Sequence, residues 1–387
     1  MFILDAPFIS NELLKTLDTQ GFSVLYNKYL KELNTSKYNL KFLDEENAIK
    51  LCQTNPNELL YSNSENSIDW ILNNLPNSNA SKYIKLFKNK TKFRDILSKI
   101  YPNFFYKEVE LKSLSDLNSE ELSFPLVIKP VIGFLSFGVY TIKNKKEWAD
   151  TLRQLISETE KITNVFPESV VNSSKFLIEE MIEGDEYAVD VYFSDKQEPI
   201  ILNIFKHPFL NEKDVSDRIY ITSKAIMKEN LSNFTELLKK IGDLTKLKNF
   251  PMHIELRKRP DGEIIPIEVN PLRFAGWCTT DMAIGAYGIN VYEHFANQTS
   301  PDWKNILENN DEEICYFAMA EVPNNIDKKK IKSFDYNNFL SNFSEIYELR
   351  KIDYTKNPLF AIIFGRCKDI NEVNKILALK TEDYIQY

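Results

Sequence analysis

Apolar positions along the chain fall into blocks with two different periods. Phe2 to Phe8 reads as a strand; Ser10 is placed to cap a helix, Gly21 to end it, and Phe22 to Tyr26 makes the next strand. Glu58 to Tyr61 is a third strand-like run, followed by helical spacing over Ser67 to Leu75. This β-α-β opening predicts a small open parallel sheet. The Asn/Ser-rich stretch Pro76 to Ser81 reads as a linker. Beyond it, Phe124 to Ile128 and Phe137 to Ile142 are β-forming runs around a short glycine-bearing loop, and helical spacing returns in Lys145 to Glu160. Strands are expected at Phe176 to Met181, Tyr187 to Phe193 and Pro199 to Phe205, a helix near Ser232 to Leu244, and a hairpin over Met252 to Asn270. The chain closes with a strand-like Leu359 to Phe364 and a helix from Asn371 to Leu379, without an internal repeat.

At 387 residues, the chain is long enough for several lobes and a substantial core. A net charge of −8 disfavours a general polyanion binder, and no basic run of nucleic-acid type is present. No apolar stretch reaches the roughly 18 residues of a membrane span. The N-terminus has no basic region ahead of its apolar residues and reads as a strand, not a signal peptide. Cys52, Cys278, Cys315 and Cys367 form no CxxC pair, which fits reduced thiols in a cytoplasm. Only 10 glycines are present, far below the usual ~7%, and Gly133 and Gly138 share one short loop.

The sharpest constellation is HIELRKRPDGEIIPIEVN, His253 to Asn270. Asp261-Gly262 is a strong two-residue turn signal. With that loop Pro260 faces Glu263, Glu255 lies opposite Glu268, and His253 lies opposite Asn270, all four projecting from one side. Facing carboxylates repel, and a divalent cation reverses that sign. Glu255, Glu268 and the amide oxygen of Asn270 are hard oxygen ligands of the kind Mg²⁺ prefers beside nucleotide phosphates, with His253 a neighbour of the site. Two alternatives stand beside this: a solvated acidic hairpin, and a Pro-Asp-Gly type I turn with a bulge that shifts the register by one.

Upstream lies FPLVIKPVIGFLSFGV, Phe124 to Val139. Lys129 ends a buried-type strand, a costly place for an ammonium without an anionic partner. Gly133 and Gly138 would let backbone N–H groups approach phosphate, although the loop is neither a Walker A motif nor GxGxxG and also suits a plain hairpin turn. In FLIEEMIEGDEYAVDVYF, the strand end at Glu179, Glu180, Ile182 and Glu186 could present backbone groups to adenine and a carboxylate to ribose, or simply form a solvated loop.

In order, these blocks resemble the ATP-grasp superfamily, which includes D-alanine–D-alanine ligase, biotin carboxylase and amino-acid ligases; the resemblance spans roughly Lys90 to Asn297. It implies an α/β chain with α+β elements: a Rossmann-like pre-ATP-grasp lobe over 1–85, an ATP-grasp domain over 86–300 with a lid-like subdomain at 122–195, and a small α/β lobe over 301–387. Lys129 resembles the lysine on the α/β phosphates. Lys90, in NKTKFR, resembles the second phosphate lysine of a D-K-x-x-x-R-like helix start, with Asn89 in the acidic position. Gly133 to Gly138, centred on Ser136, resembles the mobile loop over the triphosphate. Glu179, Glu180 and Ile182 resemble the adenine linker, Glu186 the ribose carboxylate, and Glu255, Glu268 and Asn270 the metal ligands.

Arg273, in NPLRFAG, is similar to the arginine that holds a substrate carboxylate or acyl phosphate, although Leu272 is inserted into the common N-P-R-x-G-G pattern; a surface arginine is the alternative. Lys206, at the end of its strand, is a candidate for the γ-phosphate, while Asp214, Asp217 and Arg218 carry no assigned role beyond substrate contact. The implied activity is an ATP-dependent ligase forming an amide or peptide bond through an acyl phosphate, with ATP and Mg²⁺ or Mn²⁺, small carboxylate and amine substrates (amino acid or peptide), no nucleic acid and no membrane, and a homodimer left open. Thioester formation, carboxylation, kinase-like phosphoryl transfer and a non-catalytic ATP-binding scaffold are the rival expectations.

Overall fold

The computed structural model of the chain describes residues 1–133, 138–162, 172–211 and 217–387. Its N-terminal part is a four-stranded sheet in the order Lys41–Leu43, Ser23–Leu25, Phe2–Ile3, Tyr61–Ser62, parallel throughout. Ser10 accepts from the Leu13 N–H to start the helix Asn11–Gln20, and Gly21 ends it at φ +66°. The edge strand Lys41–Leu43 and the helix Glu45–Thr54 after it escaped the pattern reading. The strand spans three residues, two exposed and one half-buried, so no buried alternation marks it.

The stretch read as a linker is instead a helix start. Ser78 caps the helix Asn79–Phe87 by accepting from the Ser81 N–H, and Ser81 is itself fully buried. Asn and Ser are loop formers because their side chains bind nearby backbone, and the same property makes them caps. This helix and the next, Lys90–Leu97, dock on the central sheet: Phe87 stacks on Phe250 at 6.2 Å, and the Tyr83 hydroxyl donates to the Lys246 carbonyl at 2.8 Å.

That central sheet has eight strands in the order Ile264–Pro271, Phe250–Lys258, Asp185–Phe193, Pro199–His207, Ile219–Ser223, Ile314–Glu321, Leu359–Cys367, Glu345–Lys351. The C-terminal segment therefore contributes three strands to a sheet it shares with the preceding residues. The long helix Lys224–Thr245 covers one face through Phe234, Leu238 and Ile241. A separate antiparallel sheet, Tyr106–Glu110, Asn172–Glu180, Leu126–Ile132, Tyr140–Ile142, packs beneath the helix Lys145–Ile162 through Trp148, Leu152 and Leu155.

The two sheets meet where Asn172–Glu180 passes into Asp185–Phe193 through Met181–Gly184. Gly184 takes φ +111°, and a Cβ there would sit 2.0 Å from the Lys258 carbonyl oxygen, so only glycine allows this crossing. Among the described residues, no helix is long and apolar enough to cross a membrane.

Ser78→Ala should lower stability by ~1 kcal/mol, seen as a lower urea midpoint. An unchanged midpoint would return 76–81 to the status of an unstructured linker.

Candidate active site

The hairpin from Phe250 to Pro271 forms the floor of the site. Its turn is the bulged alternative: Arg259 N–H donates to Glu263 O at 2.8 Å and Gly262 N–H to Arg259 O at 2.9 Å, enclosing Pro260, Asp261 and Gly262 with Gly262 at φ +91°. Near the turn the register is accordingly one residue away from that of a two-residue loop, with Arg257 opposite Ile265 and Leu256 opposite Pro266. A bulge at Ile267 then takes up the slip, so Glu255 does meet Glu268 and His253 does meet Asn270. Pro266, without an N–H to donate, sits beside the bulge on the outermost strand. The irregular backbone leaves carbonyls for cations: Pro266 O accepts from Arg94 at 2.7 Å and Ile267 O from Lys129 at 3.4 Å.

The two facing carboxylates are electrically unequal. Glu268 is recessed in the cleft, which by itself raises its pKa, but Lys90, 3.1 Å away, together with Lys129 and Lys88, holds it below the usual carboxylate range. Glu255 accepts from the Asn270 amide at 3.0 Å. Desolvation, the Glu268 charge opposite, and the Glu186 and Asp217 carboxylates push it well above the ordinary value, with Arg273 only partly opposing them. Two facing carboxylates and a side-chain amide supply hard oxygen donors of the kind a divalent cation takes. The donor set therefore fits Mg²⁺, although it contains two carboxylates and an amide: no cluster of three or more His, Cys, Asp or Glu arranged for a metal occurs among the described residues.

A second ion cluster lies against this floor. Lys129 is buried on its strand, 2.7 Å from Glu179 Oε1, and Arg94 Nε donates to Glu179 Oε2 at 2.7 Å. Burial raises the Glu179 pKa, yet Arg94 and Lys129 overcome it and hold the carboxyl at about 2. Burial lowers the Lys129 ammonium, and Arg94 and Lys90 add to this against the pull of Glu179. The pairing answers the question Lys129 posed as a buried ammonium. It also means that the Glu179 carboxylate is spent on cations in this state. Arg94 was not singled out from the sequence; its signal was the spacing in NKTKFR, which puts it one helical turn after Lys90 on the same face.

Glu180 pairs through its carboxylate with Arg259 at 2.6 Å, and the Ile182 carbonyl accepts from Arg257 at 2.9 Å. Glu186 is held by Arg257, at 3.0 and 2.8 Å, and lies 3.2 Å from His207 Nδ1. Burial works against ionisation of Glu186, while His207 and Arg257 outweigh it and lower the pKa. His207 stacks on Tyr220 at 4.4 Å, and the Tyr220 hydroxyl donates to Asp217 at 3.2 Å.

Lys206 is a correction. The strand Pro199–His207 runs two residues beyond the expected end, and Lys206 pairs in register with Tyr187, whereas Phe205 pairs with Ala188, the neighbour of Glu255. Alternation therefore sends Lys206 to the opposite face of the sheet from the acid pair. There its ammonium meets Asp185 at 2.7 Å and lies 5.8 Å over the Tyr187 ring. His207, one residue on, takes the site face instead.

Gly133 ends the strand run, with its carbonyl oxygen 3.4 Å from Lys90 Nζ, and Gly138 resumes at φ +70°. Ser136, and Asp214 farther on, lie outside the described residues. Leu272, inserted before Arg273, takes φ +68°, and its carbonyl accepts from Ser62 N–H of the N-terminal sheet at 2.9 Å. Arg273 donates to the Phe274 carbonyl at 3.0 Å and meets Glu65 at 3.4 Å, so it is partly buried at the lobe junction and not a surface arginine. Glu65, which also holds Lys88 at 2.6 Å, was missed in the sequence because its partners are distant along the chain. Next to the acid pair on the same face, His253 Nδ1 lies 2.8 Å from Asp190 Oδ1, which also accepts the Ala275 N–H at 2.8 Å. His253 thus braces the floor and ties it to the Arg273 loop.

Residues 122–281 match the family model of the ATP-grasp domain. The chain has the ATP-grasp fold. Among solved structures, the chain is similar to the L-amino acid ligase from Bacillus licheniformis, at 17% identity and TM-score 0.65, over 100% of this chain and 97% of that one. It is also similar to the biotin carboxylase domain of Hydrogenobacter thermophilus 2-oxoglutarate carboxylase in complex with MgADP, ADP and bicarbonate (13% identity, TM-score 0.63, 95% of this chain and 86% of that one). A third is N5-carboxyaminoimidazole ribonucleotide synthetase from Thermotoga maritima, at 15% identity and TM-score 0.61, over 100% and 98%. No curated protein matches the sequence.

With its pKa held at about 2 against an ordinary 4.5, Glu179 stabilises the fold above about pH 4.5 and loses that contribution as pH falls through about 2. Glu179→Gln, which strands two buried cations, should cost ~3–5 kcal/mol at pH 7. Urea unfolding of variant and parent should converge toward pH 2; a constant gap across pH would contradict the ion-pair account. Lys206→Ala, altering the far face, should change ATP affinity less than twofold in a calorimetric titration.

Proposed function

We propose that the chain is an ATP-dependent carboxylate–amine ligase that forms an amide or peptide bond through an acyl phosphate, releasing ADP and phosphate. A free amino acid or small peptide supplies the acid and an amino compound the nucleophile. The observation that carries this reading is a facing acid pair, Glu255 and Glu268, with Lys90 3.1 Å from Glu268, Lys129 on the neighbouring Ile267 carbonyl, and Arg273 near enough to act on Glu255. Negative floor and positive wall together suit a metal–triphosphate, which carries both signs.

Glu255, Glu268 and Asn270 would hold Mg²⁺, whose contribution when bound is to neutralise charge developing on the β- and γ-phosphates. Lys129 and Lys90 orient the phosphate chain for in-line attack. Glu180 and Ile182 border the adenine side and Glu186 the ribose side, at the crossing between the two sheets. Arg273 aligns the acid by a charge-assisted contact. A carboxylate oxygen attacks the γ-phosphorus, the β–γ bridging bond breaks, and ADP leaves. The amine nitrogen then attacks the acyl carbon; phosphate departs with the C–O bond electrons and the nitrogen loses a proton. No side chain becomes a covalent nucleophile. The four thiols are free, which suits a reducing cytoplasm.

Screening amino acids and small acids for stimulated phosphate release from ATP tests the reading, with hydroxylamine trapping the acyl phosphate as a hydroxamate. Glu268→Ala and Lys129→Ala should each lower release at least ~100-fold, in the range of lost transition-state electrostatics. Turnover at the parent rate in both would remove the site from consideration. Arg273→Lys should lower kcat/KM for the acid ~10–100-fold, with little change in ATP affinity.

A further inference from the structure

We propose that Lys90 is a built-in substitute cation on the metal ligand Glu268, so that the divalent site opens only when nucleotide phosphate draws the ammonium away. The inference rests on the reading of Glu255, Glu268 and Asn270 as metal ligands and concerns how access to them is controlled.

The two lysines of the cleft wall are held very differently. Lys129 is locked: Glu179 lies 2.7 Å from its ammonium, and Arg94 grips the same carboxylate by two further bonds of 2.7 and 3.2 Å. Lys90 has looser and more telling partners. Its ammonium stands 3.1 Å from Glu268 Oε2 and 3.4 Å from the carbonyl oxygen of Gly133, the residue that opens the glycine loop. One ammonium thus touches a metal ligand on one side and the start of the loop on the other. The rest of the residue is anchored, because Lys90 opens a helix whose Asn89 cap accepts from the Lys92 N–H. Only the flexible four-carbon stem is left to move.

Charge explains what that position does. Glu255 and Glu268 face each other across the hairpin, and among the described residues Glu255 has no cation at ion-pair distance. With a single ammonium in ion-pair contact for two carboxylates, and Lys129, Lys88 and Arg273 acting from farther off, the pair retains an attraction for a divalent ion. The same ammonium, within hydrogen-bond reach of Glu268, repels any ion that tries to share that oxygen. A triphosphate entering beside Gly133 offers it stronger anionic partners a short swing away. Once the ammonium leaves, Glu268 is free for the metal. Nucleotide and metal binding are then coupled through Lys90, and the coupling is reciprocal.

The test measures Mn²⁺ binding to the full-length protein without nucleotide, by the electron paramagnetic resonance signal of free Mn²⁺. Lys90→Met should bind Mn²⁺ at least tenfold more tightly than the parent, and Lys90→Arg, which keeps the charge, should bind as weakly as the parent. Adding Glu268→Gln to Lys90→Met should abolish the gain. Equal binding by Lys90→Met and parent, or a gain that survives Glu268→Gln, would overturn the proposal. If Lys90→Met does not fold, judged by circular dichroism, Lys90→Gln takes its place with the same expected gain. Mn²⁺ binding in the presence of saturating ADP, compared between parent and Glu268→Gln, judges the ligand assignment separately. A loss there, with no gain in Lys90→Met, retains the metal site and discards the substitution by Lys90.

Discussion

Two carboxylates facing one another across a β-ribbon set the terms for everything around them. Glu255 and Glu268 repel, and the surrounding residues answer with Lys90 against Glu268, the Asn270 amide against Glu255, and Arg273 beyond. The compensation is incomplete, and Glu255 carries the deficit as a strongly raised pKa. The residual negative potential is the feature a cation–nucleotide complex can use.

The floor is held rigidly where the cleft wall has to be precise. Arg94 reaches from the helix Lys90–Leu97 to the Pro266 carbonyl and to Glu179, which in turn holds Lys129. Three elements that are far apart in sequence are thereby clamped around one buried carboxylate. Asp190 likewise joins His253, next to the acid pair, to the Ala275 N–H beyond Arg273. Buried charges are expensive unless fully paired, so these clusters define the geometry more than they add to stability.

The junction of the two sheets shows how little freedom the backbone has near the candidate nucleotide edge. Gly184 passes so close to the Lys258 carbonyl that no side chain fits, and Glu180, Ile182 and Glu186 are each fastened to Arg259 or Arg257 of the hairpin. The crossing segment and the hairpin are therefore tied to each other by charged contacts. In a chain with 10 glycines, Gly184 is placed where contact distances permit nothing else.

Alternating strand patterns, the Asp-Gly turn signal and the buried-type strand carrying Lys129 were legible in the chain itself, because periodicity and turn chemistry are local properties. They were enough to put Glu255 opposite Glu268. The route to that pairing was not legible: the loop holds three residues, and the bulge at Ile267 restores the register that the longer loop displaces. Two offsets cancelled, and a bulge depends on how Pro266 and its neighbours meet Arg94 and Lys129, which is a tertiary matter. Pairing register decided Lys206 in the same way, since it falls opposite Tyr187 while Phe205 and His207 on either side of it take the other face of the sheet. Arg94, Glu65, Asp190 and His207 gained their roles from partners roughly 20 to 200 residues away. Local sequence specifies which residue types lie on a strand or cap a helix; only the folded chain decides which charges share a dielectric cavity, because that depends on distances no linear pattern contains.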